Sequence, residues 1–152
     1  MKKRAILAAV LVLCLALGGC RAYKPHKKTF KYAVGTWTLD CVYVNTSPIT
    51  IPQITMEISK DKQAHVTTVT TLALTAEEQA LVDSGQEVTA QTTTTEADYD
   101  ITADDKGVMI FKADDGTETT YAYSVDTEAG DLHMYTTIDG SYYHYVYYKV
   151  EE

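Results

Sequence analysis

Positive charge is almost missing beyond residue 32. No arginine follows Arg21, and the remaining stretch holds five lysines, Lys60, Lys62, Lys106, Lys112 and Lys149, against all twenty-one acids, a net charge of −16. Such a surface repels phosphates, which excludes nucleic acid as a partner. Cysteine is equally scarce: Cys14, Cys20 and Cys41 are the only three, and no C-x-x-C or H-E-x-x-H spacing marks a metal centre. No serine sits in a G-x-S-x-G turn, and the many carboxylates single out no acid and base pair. The expectation is a non-catalytic chain with no cofactor and no catalytic or metal-ligating residues. Glycine, proline and aspartate are not scarce enough to prevent frequent turns, and they punctuate most of the chain beyond residue 44.

The first residues carry a different signal. Lys2, Lys3 and Arg4 precede an apolar run, Ala5 to Leu17, that is short for a membrane span. Residues 1–19 therefore read as a signal peptide. Its end, Leu17-Gly18-Gly19-Cys20, resembles the bacterial lipobox. That resemblance implies cleavage before Cys20 and attachment of a diacylglycerol thioether to its sulfur, placing the domain outside the cytoplasm on a cell membrane. Arg21 follows the cysteine, so an outer-membrane fate is implied only in a diderm cell. With Cys14 removed and Cys20 lipidated, Cys41 is a lone thiol that cannot form an internal disulfide. Residues 20–32 are polar and basic, with Pro25 and no apolar period, and read as a flexible tether. The tether either rests on anionic headgroups or serves as a soluble spacer.

Residues 33–152 are enough for one domain with a real core. They form a succession of short strand patterns. In Gly35 to Tyr43, Trp37, Leu39, Cys41 and Tyr43 alternate with Thr36, Thr38 and Asp40, so one face is expected to be core. Asn45 to Pro52 reads as a loop, Gln53 to Ser59 and His65 to Thr71 as strands, and Thr75-Ala76-Glu77-Glu78 as a capping box opening one short helix that Gly85 ends. Strand resumes from Glu87 to Glu96, with Tyr99 and Ile101 sharing a face beyond it. Val108 to Lys112, Thr119 to Val125, Leu132 to Thr137 and Ser141 to Val150 complete a chain of hairpins. A two-residue turn at Asp139-Gly140 pairs Ile138 with Ser141, Tyr135 with His144, Met134 with Tyr145 and Leu132 with Tyr147. The expected fold is all-β: a small antiparallel up-and-down barrel of eight or nine strands with one short helix. Its expected core is Trp37, Leu39, Cys41, Ile54, Met56, Ile58, Tyr121, Tyr123, Leu132 and Met134.

The Gly35-Thr36-Trp37 opening, together with the lipobox, resembles the lipocalin family and the bacterial lipocalin-like lipoproteins. The resemblance implies a barrel that binds a small apolar ligand in its mouth. Lipocalins place a late arginine across the tryptophan; here the late cation is Lys149, which lacks the planar guanidinium.

Twelve tyrosines are the main chemical excess. Facing inward, they would line a cavity suited to an apolar or amphipathic ligand, with Trp37, Tyr43, Tyr121, Tyr123 and Tyr145 as the candidate lining. Facing outward, they would form an adhesive surface for an envelope protein or cell-wall component. Both classes stay open, as does plain packing. His133 and His144 fall diagonally on one face of the last hairpin, within reach of each other but without a third ligand in the pattern. Asp98, Asp100, Asp104 and Asp105 lack the glycine and terminal glutamate positions of a calcium loop and read as turn formers. Replacement Cys20→Ala should leave an unprocessed precursor or release the protein from the membrane fraction; fractionation with metabolic acyl labelling checks this, and normal processing and membrane retention would refute it.

Overall fold

The computed structural model describes residues 26–151. Nine strands form one antiparallel sheet: β1 (Gly35–Val44), β2 (Ser47–Ile49), β3 (Gln53–Ile58), β4 (Gln63–Thr71), β5 (Thr92–Ala103), β6 (Val108–Ala113), β7 (Glu118–Asp126), β8 (Asp131–Ile138) and β9 (Ser141–Lys149). Eight close into an up-and-down barrel because β9 pairs back onto β1. The ninth, β2, lies outside the ring: β1 pairs with β3 over Gly35–Thr38 and with β2 over Val42–Val44, both on the edge opposite β9. The cysteine at position 20 and the rest of residues 1–25 lie outside the described residues.

The last hairpin has the register its turn dictates, from Ile138 opposite Ser141 to Leu132 opposite Tyr147. Asp139 and Gly140 both take positive φ, 49° and 78°, as a type I′ turn requires. A second turn of this kind occurs at Asn45-Thr46, with φ of 48° and 75°. It makes β2 a strand where proline and serine suggested only a loop. Threonine is an unusual residue at positive φ, so the sequence carries no Asn-Gly signal there. Asn45 fixes the position by exchanging bonds with Tyr142: its N–H donates to the Tyr142 carbonyl, and its Oδ1 accepts the Tyr142 N–H, both at 2.9 Å.

The helix α1 (Ala76–Asp83) opens with the expected capping box, Thr75 and Glu78 each bonding the other's backbone. It buries no residue, and Leu81 and Val82 on it are exposed. Residues 87–91 are not strand, in contrast to their sequence pattern. β4 ends at Thr71, opposite Thr92, and past that pair the ladder continues only in the 2.8 Å bond from the Leu72 N–H to the Gln91 carbonyl.

One correction concerns β1. The register with β9 shifts between Leu39 and Cys41, a bulge that inserts an extra residue and reverses the alternation beyond it. Val42 is consequently buried and Val44 packs on the core, while Cys41 and Tyr43 turn to the outer face. Cys41 is half-exposed, not a core residue. The other nine expected core residues all lie in or against the core, which Val42, Ala64, Ile101, Met109, Phe111, Val125 and Tyr147 extend.

One end of the barrel is sealed. A 3-10 turn, Phe30–Tyr32, crosses it and delivers the fully buried Ala33, whose carbonyl accepts a 2.8 Å hydrogen bond from Trp37 Nε1. The residues ahead of this turn are part of the fold as well. Lys27 pairs with Val125 through two 2.8 Å bonds along the edge of β7, and His26 reaches Ser124 at 3.3 Å. The spacer read from composition is therefore shortened by the segment 26–32, which the free edge of β7 recruits. Lys149 lies opposite Trp37, with its Nζ 5.8 Å from the ring centroid. Gly35, at φ 140°, makes room for it: an added Cβ would stand 3.1 Å from Lys149 Cε. Removing this plug by Trp37→Ala should cost about 3 to 5 kcal/mol in chemical denaturation, as for other large buried aromatics. In the folded native protein the single indole, only 1% exposed, should show blue-shifted emission.

Candidate functional site

The opposite half of the barrel is not filled. Ile54 and Met56 of β3, Val66 of β4, Tyr99 of β5, Phe111 of β6, Thr119 and Tyr121 of β7, Met134 of β8, and Tyr145 and Tyr147 of β9 line a cavity of about 200 Å³. Every strand that contributes two residues does so at alternate positions, and closure of the ring brings side chains distant in sequence to one space. The aromatic members touch in series. Tyr99 to Phe111 is 5.7 Å between ring centroids, Phe111 to Tyr121 5.4 Å at 66°, and Tyr121 to Tyr145 6.1 Å at 79°. Tilted and edge-on geometry of this kind suits ring quadrupoles and leaves ring edges and hydroxyls, more than open faces, for a guest.

The electrostatics of the space are those of an apolar site. Burial, reinforced by the neighbouring phenols Tyr145 and Tyr99, pushes the Tyr121 hydroxyl up to about 12. Burial also raises Tyr145 and, more strongly, Tyr147. Anionic oxygen is disfavoured here because no cationic side chain among the described residues lines the wall.

The five aromatic residues singled out from sequence separate into three groups. Tyr121 and Tyr145 line the cavity. Trp37 and Tyr123 belong to the sealed end: Trp37 is covered by Ala33, and the Tyr123 hydroxyl donates to the carbonyls of Lys28 at 2.7 Å and Asp104 at 3.3 Å. Tyr43 is on the outer face, turned there by the bulge, and stacks on His144 at 5.7 Å. Tyr99, Phe111 and Tyr147 complete the aromatic wall. Their signal was present in the period-two pattern, since Tyr99 shares a face with Ile101 and Ile101 pairs with Phe111.

The outer face of β8, β9 and β1 carries a row of stacked rings. His26, His133, His144 and Tyr135 follow one another at 5.4, 5.3 and 4.4 Å, and Tyr135 continues to Tyr142 at 6.0 Å. His133 Nδ1 and His144 Nε2 share one hydrogen bond of 3.0 Å, as their diagonal register allows. Among the described residues, no group of three or more histidine, cysteine or carboxylate side chains could hold a metal ion. The aspartates near β5 are likewise dispersed: Asp98 bonds His65 Nδ1 at 2.6 Å on the outside of the barrel, and Asp104 accepts the amides of Lys106 and Val108 in its own turn. Cys41, on the same outer surface as the ring row, has its thiol pushed up by burial, which leaves it protonated.

No family model matches the chain, and no curated protein matches it. Among solved structures, a mutant of the fluorescent protein UnaG is similar in fold, at 13% identity and a TM-score of 0.41, over 82% of this chain and 100% of that one. A likeness that remote carries no argument about a ligand.

Burial lowers the pKa of both His133 and His144, His133 further through His26. A depressed histidine leaves stability untouched above its unfolded value and withdraws it as pH falls below about 6.5, where the unfolded chain takes up the proton first. His65, raised by the Asp98 hydrogen bond, acts in the opposite sense but is exposed and screened. Melting temperature should therefore fall on acidification from about pH 7 to about pH 5, and the fall should be smaller in a His133→Asn/His144→Asn variant, as differential scanning fluorimetry can check.

Proposed function

We propose that this is a membrane-anchored envelope lipoprotein whose barrel binds a small apolar or amphipathic molecule without chemical change. The observation that carries the binding half of this reading is the apolar cavity at the end of the barrel opposite Trp37. Its volume of about 200 Å³ exceeds the roughly 150 Å³ at which an engineered apolar cavity already takes up benzene. It is smaller than the roughly 300 to 1,000 Å³ of pockets for drug-sized ligands. A single ring or a short branched chain fits that range. Anchoring rests on the sequence alone, on the Leu17-Gly18-Gly19-Cys20 lipobox and its flanks, with Cys20 as the lipidated residue and the lipid bilayer as the first partner.

A second reading has its own support. The stacked outer row and the exposed rings of Tyr142 and Tyr148, 46% and 47% accessible, suit an envelope protein or cell-wall component. Native mass spectrometry of the protein purified from its own envelope separates the two. A reproducible small adduct should accompany the wild-type protein and be lost in Val66→Phe, which fills the cavity from β4. No adduct in either protein, with a partner protein retained in both, would replace the first reading by the second.

A further inference from the structure

The cavity wall has a chemical character that its volume does not express. Tyr99, Tyr121, Tyr145 and Tyr147 all contribute to it, and among the described residues none of their hydroxyls has a hydrogen-bond partner in the protein. The contrast with Tyr123 is informative, since that hydroxyl, at the sealed end, is satisfied twice by backbone carbonyls. Tyr147 as a residue is more than nine-tenths buried. Yet no polar side-chain atom among the described residues is fully enclosed without a partner, so these four hydroxyls keep access to space that water or a guest can occupy. Phenol hydroxyls in an apolar wall gain from such a partner, and each can both donate and accept. Among the described residues no lysine, arginine or histidine lines the space to neutralise an anion, and no carboxylate lines it to neutralise a cation. The ring faces are partly used on one another in edge-on contacts, so they do not form an open box for an ammonium group.

Resting on the reading of the barrel as a binding site, we infer that the ligand is a neutral molecule bearing one hydroxyl or carbonyl group, held by the free tyrosine hydroxyls, and neither a carboxylate nor an amine. A carboxylate would enter without a counter-charge in a domain whose acids already outnumber its lysines, and its desolvation would go uncompensated. The upward displacement of Tyr121 is the same penalty felt by a phenolate. A neutral hydroxyl or carbonyl incurs no such penalty and satisfies donors and acceptors that the protein leaves idle.

Four single-ring probes of nearly equal size distinguish the possibilities: toluene, benzyl alcohol, benzoate and benzylammonium, titrated into the full mature chain carrying Cys20→Ser. Methyl resonances of Met56 and Met134, which line the cavity, report on it. Toluene and benzyl alcohol should shift Met56 and Met134, with benzoate and benzylammonium at least about tenfold weaker than the alcohol. The double replacement Tyr121→Phe/Tyr145→Phe should weaken benzyl alcohol roughly two- to tenfold and leave toluene unchanged. Benzoate or benzylammonium binding as tightly as the alcohol would overturn the neutral assignment while leaving the cavity as a binding site. An alcohol affinity indifferent to the double replacement would overturn the role of the hydroxyls. Failure of all four probes to move either methionine would remove the binding reading itself, and this inference with it.

Discussion

The pairing of β1 on both of its edges is the constraint on which the rest of this molecule depends. Over Gly35–Thr38 it bonds β3, and from Trp37 to Val44 it bonds β9, so one strand joins the first and last parts of the ring. An open sheet of eight strands would leave two long edges and a half-wrapped core. Closure removes both edges. It also brings Lys149 opposite Trp37, and Gly35 supplies the space in which the lysine stem lies.

Closure also creates an asymmetry between the two ends. The sealed end is built from large, fully buried side chains, among them Trp37, Tyr123, Ile58 and Met109, and is roofed by the turn at Phe30–Tyr32. Its polar atoms are satisfied by backbone: the indole by Ala33, the Tyr123 hydroxyl by Lys28 and Asp104. At the other end the wall consists of rings that meet at an angle and of hydroxyls without partners among the described residues. Close packing and full hydrogen bonding at one end therefore contrast with open space at the other.

The outer surface divides in a similar way. Around β3 to β5 it is acidic, with Glu57, Asp98, Asp100 and Asp114 about His65; around β8, β9 and β1 it is aromatic, with histidines interleaved among tyrosines. The two faces come from the same alternation that builds the core, because every inward residue of a strand fixes an outward neighbour. The bulge in β1 adds to the aromatic face by moving Tyr43 there from the inward series, and it admits Val42 to the core in exchange.

Much of the fold was legible in the chain itself. Alternation of apolar and polar residues determined the eight strands of the ring, though not β2, and, with the Asp139-Gly140 turn, the whole register of the final hairpin, because a two-residue I′ turn permits only one pairing. The capping box determined the start of α1, since its two hydrogen bonds are local. The lone tryptophan after a glycine marked the inward face of β1 up to Leu39. Tertiary structure decided what depends on distant partners. The bulge after Leu39 arises from fitting β1 to β9, at the far end of the chain, so Cys41 and Tyr43 reversed their faces without any local sign. Residues 87–91 have strand composition but lie past the end of β4, and Lys27 has spacer composition but an open β7 edge to join. The cavity was beyond local reading for the same reason: Tyr99, Phe111, Tyr121, Tyr145 and Tyr147 meet only when the ring closes, and whether the space between them is filled depends on the sum of side chains from every strand between β3 and β9.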